Sequence, residues 1–464
     1  MKNVLIWGFD HDITREAVQQ LENEKLISIK AWYQEPKTVK GNSKGIAQDW
    51  FQLVFHKMDK EDILYCDEKI YSYMYQHLYV FMDIISRAAF FQNKRIHEYL
   101  NVFNLFVYYF YGLIKKRDIQ LMIFEDIPHG PANYVLYHLG KVLDIPTVMV
   151  CQSLFPDKFF YFYDVDDYGL FDQVPEYKAN NNGISIEKEH QKDLFYMKKP
   201  SWQEKLVRKT KMLHSFSEWK EERKAILRKT SAKYEGIVDF VQQDISRKLI
   251  KKNLQKAYRR RAEICFSSDV DLNKDFVYFP LHLQPEMTTS ALGGVYCDQL
   301  LAIEQLSQKI PADWYIYVKE NPKQDFLMRG QYFFERLSLI PKVKTVKLDF
   351  NTYDLIKNCR FVATITGTAG WEAISGGTNS VVFGKAWYKC LPGVFQYSED
   401  LDINQVLNYK IDHMELEKSV TALLKKMADG LVNADYLPML PNFSSTDNKA
   451  KIVRFLKFIL EENK

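Results

Sequence analysis

Short uninterrupted apolar runs alternate along this chain with longer segments of helical period. Residues 3–7 (NVLIW) are apolar almost throughout and stop at Gly8, which predicts a buried strand. Helical spacing follows over 14–24, with Thr14 as a candidate N-cap, and 26–32 (LISIKAW) predict the next strand. This β-α-β opening is that of a doubly wound α/β domain. Residues 62–117 carry a mostly helical pattern. Residues 119–125 (IQLMIFE) and 146–151 (PTVMVC) predict further buried strands on either side of a helix over 132–143. The polar turn from Asp126 to Pro131 (DIPHGP) thus lies between the carboxyl end of a strand and a helix, where open α/β sheets hold ligands.

The alternation breaks over 202–263, which are rich in Lys, Arg, Glu and Gln and poor in Gly and Pro, and read as long solvated helices. It resumes near residue 275. Strands are predicted over 275–280, 314–319, 344–348, 361–365 and 380–384, and helices over 296–309 and 353–358 and from Trp371 to Ser375. A last helix over about 448–462 places Ile452, Phe455, Leu456, Phe458 and Ile459 at helical spacing. The pattern predicts an α/β protein of GT-B architecture, with two Rossmann-like domains facing a cleft. The domains fall at 1–200 and 269–445, with a helical linker over 201–268 and a C-terminal helix over 446–464.

Composition narrows the function classes. The 464 residues are 47% hydrophobic and 26% charged, which excludes a disordered chain, a collagen or a small disulfide scaffold. A net charge of +4 gives no global signature for a polyanion. The 15% aromatic content suits sugar rings, and equally suits a core built from Phe and Tyr. The six cysteines are scattered without a CxxC pair, and the apolar run Val4 to Trp7 is too short for a signal-peptide core, so free thiols and a cytoplasmic setting are expected. Val102 to Ile114 is too short to span a bilayer and runs into Lys115-Lys116-Arg117; it reads as a buried helix, with an interfacial helix as the alternative. Arg247-Lys248, Lys251-Lys252 and Arg259-Arg260-Arg261 make the 247–261 stretch basic, either as a solvated helix face or as a docking site for an anionic membrane surface or glycan. Without interleaved aromatic residues it does not read as a nucleic-acid groove.

Four segments combine strand-end placement with useful chemistry. In Thr364 to Gly377 (TITGTAGWEAISGG), Gly367 and Gly370 predict close approach of the backbone to a ligand. Thr366, Thr368 and the free N–H groups of the helix N-terminus suit phosphate oxygens. Glu372, expected in the first helical turn, suits vicinal ribose hydroxyls; capping of the helix by these same residues is the competing role. In Tyr317 to Lys323 (YVKENPK), Lys319 and Lys323 suit a phosphate and Glu320 a base or ribose, unless Asn321-Pro322 is an ordinary turn with solvated lysines. In Phe279 to Thr289 (FPLHLQPEMTT), Pro280 and Pro285 bracket His282, and Glu286, Thr288 and Thr289 follow. His282 suits a donor phosphate or acid/base work. In Phe124 to Tyr134 (FEDIPHGPANY), Glu125, Asp126 and His129 cluster as candidates for base or nucleophile, with local turn bonds as the alternative. Asp164-Val165-Asp166-Asp167 matches Asp-x-Asp in letters but lies in an aromatic, irregular stretch, and no metal site is expected.

At these residues the chain resembles the bacterial capsular polysaccharide biosynthesis proteins, which include retaining β-Kdo transferases of capsule and lipopolysaccharide assembly. The stretches that carry the resemblance are FEDIPHGPANYVLYHLGKVLDIPTVMV, FPLHLQPEMTT, YVKENPKQ, and TITGTAGWEAISGG followed by VVFGKAWYKCLPGVF. The resemblance implies a GT-B glycosyltransferase that is metal-independent and peripheral to the inner membrane. Its donor nucleotide is held by the C-terminal domain through His282, Glu286, Lys319, Glu320, Asn321, Thr366, Gly367, Thr368 and Glu372, and Glu125, Asp126 and His129 act from the opposite side. The implied substrate is CMP-Kdo or a related CMP-nonulosonate, with a glycan or lipid-linked acceptor and no separate cofactor. Related CMP-sugar transferases use a His-Pro motif, where Asn321-Pro322 stands here, and Gly377-Thr378-Asn379 replaces the usual Gly-Lys-Pro. Two alternatives stay open: a polyol-phosphate transferase with a CDP-linked donor, and a non-catalytic glycan-docking partner in a capsule complex.

Overall fold

The computed structural model describes residues 1–34, 47–49, 60–87, 95–177, 186 and 251–462. The helices expected over 202–250, including Arg247-Lys248, lie outside them. Two parallel-rich sheets organise the rest, in the α/β, GT-B arrangement the pattern predicts.

The first domain begins with β1 (Lys2–Trp7), α1 (Arg15–Asn23), β2 (Ile27–Gln34) and β3 (Ala47–Asp49). Three helices follow: α2 (Glu68–Tyr75), α3 (Leu78–Ile85) and α4 (Ile96–Lys116). Then come β4 (Leu121–Phe124), α5 (Pro131–Val142), β5 (Thr147–Gln152) and β6 (Lys158–Phe162). Thr14 occupies the N-cap position of α1, but its hydroxyl donates to the His11 carbonyl (3.4 Å) rather than capping the helix. The apolar run inside α4 is a core helix, with Phe103, Phe106, Val107, Phe110 and Leu113 fully buried. Among the described residues no helix is long and apolar enough to cross a membrane.

Residues 251–265 form α6. The second domain then runs through β7 (Phe276–Pro280), a π-helical turn over Met287–Ala291, α7 (Gln299–Lys309), β8 (Tyr315–Lys319), α8 (Gln331–Leu339) and β9 (Val343–Thr345). It continues with α9 (Thr352–Asn358), β10 (Phe361–Thr364), α10 (Thr368–Ser375), β11 (Ser380–Val382), β12 (Val394–Gln396) and α11 (Ile403–Asn408). The strand order β12-β11-β10-β7-β8-β9 is parallel throughout.

The chain then returns to the first domain. After α12 (His413–Lys425), β13 (Ala428–Asp429) pairs antiparallel with β6, completing the order β13-β6-β5-β4-β1-β2-β3. The final helix α13 (Ser445–Glu462) packs Phe455 edge-on against Phe159 and Tyr161 of β6. Leu416, Val420, Leu423 and Leu424 of α12 also join the first domain's core. The return therefore starts well before the expected C-terminal helix at 446.

The two domains share packed surface. Trp371, Ile374, Trp387 and Tyr388 belong to the same apolar cluster as the β4–β6 strands. Phe155 meets Trp387 and Trp371 at ring-centroid distances of 5.6 and 6.3 Å. The loop after β6 seats on this junction at Gly169, whose φ of +91° and lack of a Cβ are both required. A Cβ there would lie 2.0 Å from the Ala386 carbonyl oxygen. Gly169→Ala should therefore lower the unfolding free energy by about 2–3 kcal/mol. Urea denaturation reads this directly, and an unchanged midpoint would show that the loop is not seated on the second domain.

Candidate functional site

The chemistry-bearing residues gather where the parallel strands of both sheets end. On the first domain, β1 runs into Gly8-Phe9-Asp10-His11 and β4 into Glu125-Asp126. Glu125 turns back on the neighbouring strand end, where its Oε2 accepts the Phe9 amide. Gly8 is required there because a Cβ would meet that carboxylate. Asp126 accepts the Ile127 amide (2.8 Å), and His129 Nδ1 bonds the Ile127 carbonyl (2.6 Å), which fixes the imidazole beside the carboxylate. Burial raises the Asp126 carboxyl above the ordinary range; His129 and the Ile127 amide pull it down, while Glu286 of the second domain pushes it further up. Cys151 and Tyr168 line the same spot, with Sγ 3.8 Å from the phenol oxygen.

Glu286 is held from two sides. Its side chain accepts the Met287 amide at the N-cap of the turn, and Arg87, just past α3, donates two bonds to it at 2.9 and 3.2 Å. Next to it, Ser290 donates its hydroxyl to Asp83 of α3. The segment inserted after β3 therefore grips the first loop of the second domain, through partners about two hundred residues apart that no local pattern reveals.

On the second domain, His282 sits at the end of β7 and is enclosed. Its Nε2 accepts the Thr366 amide (3.3 Å) and lies 3.3 Å from Thr364 Oγ1. Burial lowers its pKa to about 4, so the ring is neutral near pH 7, with its proton on Nδ1. This geometry makes His282 a brace between β7 and the loop after β10. Thr366 is engaged in the same way, donating its hydroxyl to the Thr288 carbonyl (2.7 Å). Gly367 caps α10, and its amide donates to Thr364 Oγ1 (3.2 Å). The reading of Gly367 and Gly370 as room for a ligand is corrected. A Cβ at Gly367 would meet His282, and one at Gly370 would meet Tyr388 and Ser380, so both glycines make room for protein side chains.

The start of α10 also differs from the expectation. The helix begins at Thr368, three residues before Trp371, which puts Glu372 in the second turn rather than the first. Its carboxyl bonds the Thr368 side chain one turn back, and burial pushes it up to about 7. Nearby, Tyr278 bonds Thr352, and Lys319 donates to the Phe350 carbonyl (2.6 Å) and Thr352 Oγ1 (3.0 Å). Burial lowers the Lys319 ammonium below its ordinary range. Thr352 thus joins Tyr278 and Lys319, while Thr368 and Glu372 pair at the start of α10.

Glu320 takes a different part. It pairs with Arg329 at 2.9 Å, both side chains being 1% exposed. Arg329 also donates to the His282 carbonyl (3.1 Å) and lies 3.4 Å from Gln284 Oε1. Gln299 holds the His282 amide (2.7 Å), and Gln324 holds the Gln284 amide (2.9 Å). This buried network knits the loops after β7 and β8 into one piece. Asn321 is turned into its own loop, its Oδ1 accepting the Lys323 amide (2.9 Å). The Asp164–Asp167 acids are similarly occupied: Asp164 pairs with Lys141, Asp166 with Lys385, and Asp167 accepts the Asp172 amide.

The sequence profile of the capsule polysaccharide biosynthesis protein family matches residues 188–427, just over half of the chain. The chain belongs to that family. The matched span holds every site residue of the second domain and stops short of Glu125, Asp126 and His129. No curated protein matches the sequence. Among solved structures, a beta Kdo 2,7 transferase, KpsC of Thermosulfurimonas dismutans, aligns at 12% identity over 80% of this chain and 95% of that one, with a TM-score of 0.32. The UDP-GlcNAc 2-epimerase of Methanocaldococcus jannaschii aligns at 10% identity over 91% and 99%, with a TM-score of 0.25. At these scores neither informs the reading of the site.

Sequence reasoning missed several residues of this capsule biosynthesis protein's site. Asp10 and His11 follow a strand end, as Asp126 does, and that rule locates them. Arg329, Arg87 and Asp83 act only through partners distant in sequence. Two outcomes follow. Replacing Glu320 with Gln leaves the enclosed Arg329 without its counter-charge, and should cost about 3–5 kcal/mol in urea denaturation. Glu372→Gln should reveal the carboxyl's burial as a pH effect. Between pH 4.5 and about 7 the native Glu372 keeps a proton that the unfolded chain has released, so wild-type stability falls as pH rises through that window. The variant escapes the loss. Its stability relative to wild type should rise by about 3 kcal/mol from acid to mildly alkaline pH, and a flat difference would place the carboxyl in water.

Proposed function

We propose that the protein is a glycosyltransferase of bacterial surface-polysaccharide assembly that transfers Kdo or a related nonulosonic acid from a CMP-activated donor to a glycan or lipid-linked acceptor. Family membership supports the polysaccharide setting. The observation that carries the transfer chemistry is a half-buried carboxyl with an adjacent imidazole, Asp126 and His129, at a strand end of the first domain, with Glu286 of the second domain adding to the carboxyl's raised pKa.

In this reading the donor lies along the second domain. The amides of Thr368 and Ala369 at the start of α10 meet the phosphate of the nucleotide. Thr368 and Glu372 face the ribose, and Lys319 adds positive charge at the same edge. His282, Thr366 and Gly367 hold the loop that presents those amides, and Glu320 with Asn321 shapes the neighbouring one. The anomeric carbon of such a donor bears a carboxylate and becomes oxocarbenium-like as its bond to the phosphate oxygen breaks and CMP leaves, so catalysis consists of stabilising the leaving phosphate and positioning the acceptor. Asp126, with its raised pKa, is suited to take the acceptor's proton, with His129 beside it. As a nucleophile at the anomeric carbon the same carboxylate would serve a retaining route. Glu125, tied to the β1 loop, orders that edge.

A thermal-shift panel with CMP, CDP, UDP and GDP tests the donor. A ligand at about 100 times its Kd adds about 2.7 kcal/mol to the native state, so CMP should raise the midpoint by several degrees, and Glu372→Gln should blunt the shift. Asp126→Asn should keep the CMP shift and lower turnover by at least about 100-fold. A response to UDP or GDP alone would overturn the CMP assignment. A response to CDP with phosphorus in the product would move the reaction to polyol-phosphate transfer.

A further inference from the structure

We propose that the outward face of α6 docks the protein on an anionic lipid surface. Residues 251–261 (KKNLQKAYRRR) contain six cations and no acid, more positive charge than the whole chain nets. The inner face of the helix is fixed: Tyr258 and Ala262, with Phe266 just past the helix end, are buried in the second domain's core, and Tyr258 lies 6.2 Å from the Phe334 ring of α8. That anchorage turns Lys252, Lys256 and Arg260 outward in one row at a spacing of four residues. The row ends in Ile264, which is 77% exposed. Lys251, Arg259 and Arg261 are exposed beside it.

Among the described residues none of these six cations forms an ion pair. Other surface cations of this domain do, such as Lys347 with Asp269 and Arg336 with Asp298 and Glu304. An unpaired cationic row with an exposed apolar residue at its end matches an interfacial helix, where basic heads meet lipid phosphates and the apolar group enters the headgroup layer. The helix's one ring, Tyr258, is turned into the core, so among the described residues of the helix no aromatic face is offered to a sugar. Gln255 accepts the Phe326 amide (3.3 Å), which places the helix beside the loop that follows β8. Docking through α6 would therefore hold the strand-end edge of the second domain close to the membrane.

The proposal does not depend on the donor, and the full-length chain tests it without turnover. Co-sedimentation with phosphatidylcholine vesicles is compared with vesicles in which about one third of the lipid is phosphatidylglycerol. The protein should pellet with the anionic vesicles, and high salt should weaken this binding. Each cation near such a surface is worth roughly five-fold in partitioning, so Lys252→Gln/Lys256→Gln/Arg260→Gln should lower binding on the order of 100-fold. The three changes keep helix-forming, solvent-facing side chains, and an unchanged urea midpoint confirms folding. Ile264→Ser should weaken vesicle binding and leave binding to soluble heparin unchanged. Absence of vesicle binding, undiminished binding by the triple variant, or capture of heparin without capture of vesicles would each overturn the proposal, the last assigning the face to an acidic glycan.

Discussion

Helix α10 is buried on every side, and the relative placement of the two strand-end edges depends on that burial. Trp371 and Ile374 face the first domain's core, while Ala369 and Ala373 face the second sheet. One helix therefore belongs to two apolar clusters. Full burial of a side chain of this size contributes about 1.5–3 kcal/mol, so sliding α10 out of either cluster would forfeit several such terms. The loop Thr364–Gly367 and the first-turn amides of α10 are carried along with it. The phosphate-suited end of the helix is thus fixed relative to Asp126 by Trp371, Trp387 and Phe155, none of which offers chemistry of its own.

The polar groups around this anchor show a second constraint. Enclosing Glu320 and Arg329 removes two charges from water, a cost that mutual attraction and hydrogen bonding to His282 and Gln284 must offset. Such a pair adds little net stability over an apolar equivalent, but its directional bonds specify how the loops after β7 and β8 meet. His282 follows the same logic. A neutral imidazole can accept one amide proton where an imidazolium cannot, and its burial secures the neutral form.

Much of the fold could be read from sequence because parallel strands buried on both faces leave continuous apolar runs. NVLIW, LMIF and FVAT fall where those runs predict. The strand-end rule then located the Asp126–His129 turn, the His282 segment and the Thr366 loop without any contact information. Three features escaped it. β13 spans only two residues and exists through its pairing with β6, so no local pattern announces it. The start of α10 was misplaced because Thr366-Gly367-Thr368-Ala369-Gly370 reads as a turn, whereas burial of Ala369 and the close contact of Gly370 with Tyr388 make helix the better-packed state. Arg87 and Asp83 matter only through Glu286 and Ser290, about two hundred residues away, a separation at which periodicity carries no information.

That distant grip bears on how the cleft is tuned. Burial raises the Asp126 carboxyl and Glu286 adds to the rise, while Arg87 pairs with Glu286. Docking of α3 on the π-helical turn therefore sets a guanidinium against a carboxylate that acts on Asp126. Asp83 meets Ser290 within the same contact, and burial raises its own carboxyl. The contact between this helical insertion of the first domain and the first loop of the second thus carries two polar ties, Arg87 with Glu286 and Ser290 with Asp83.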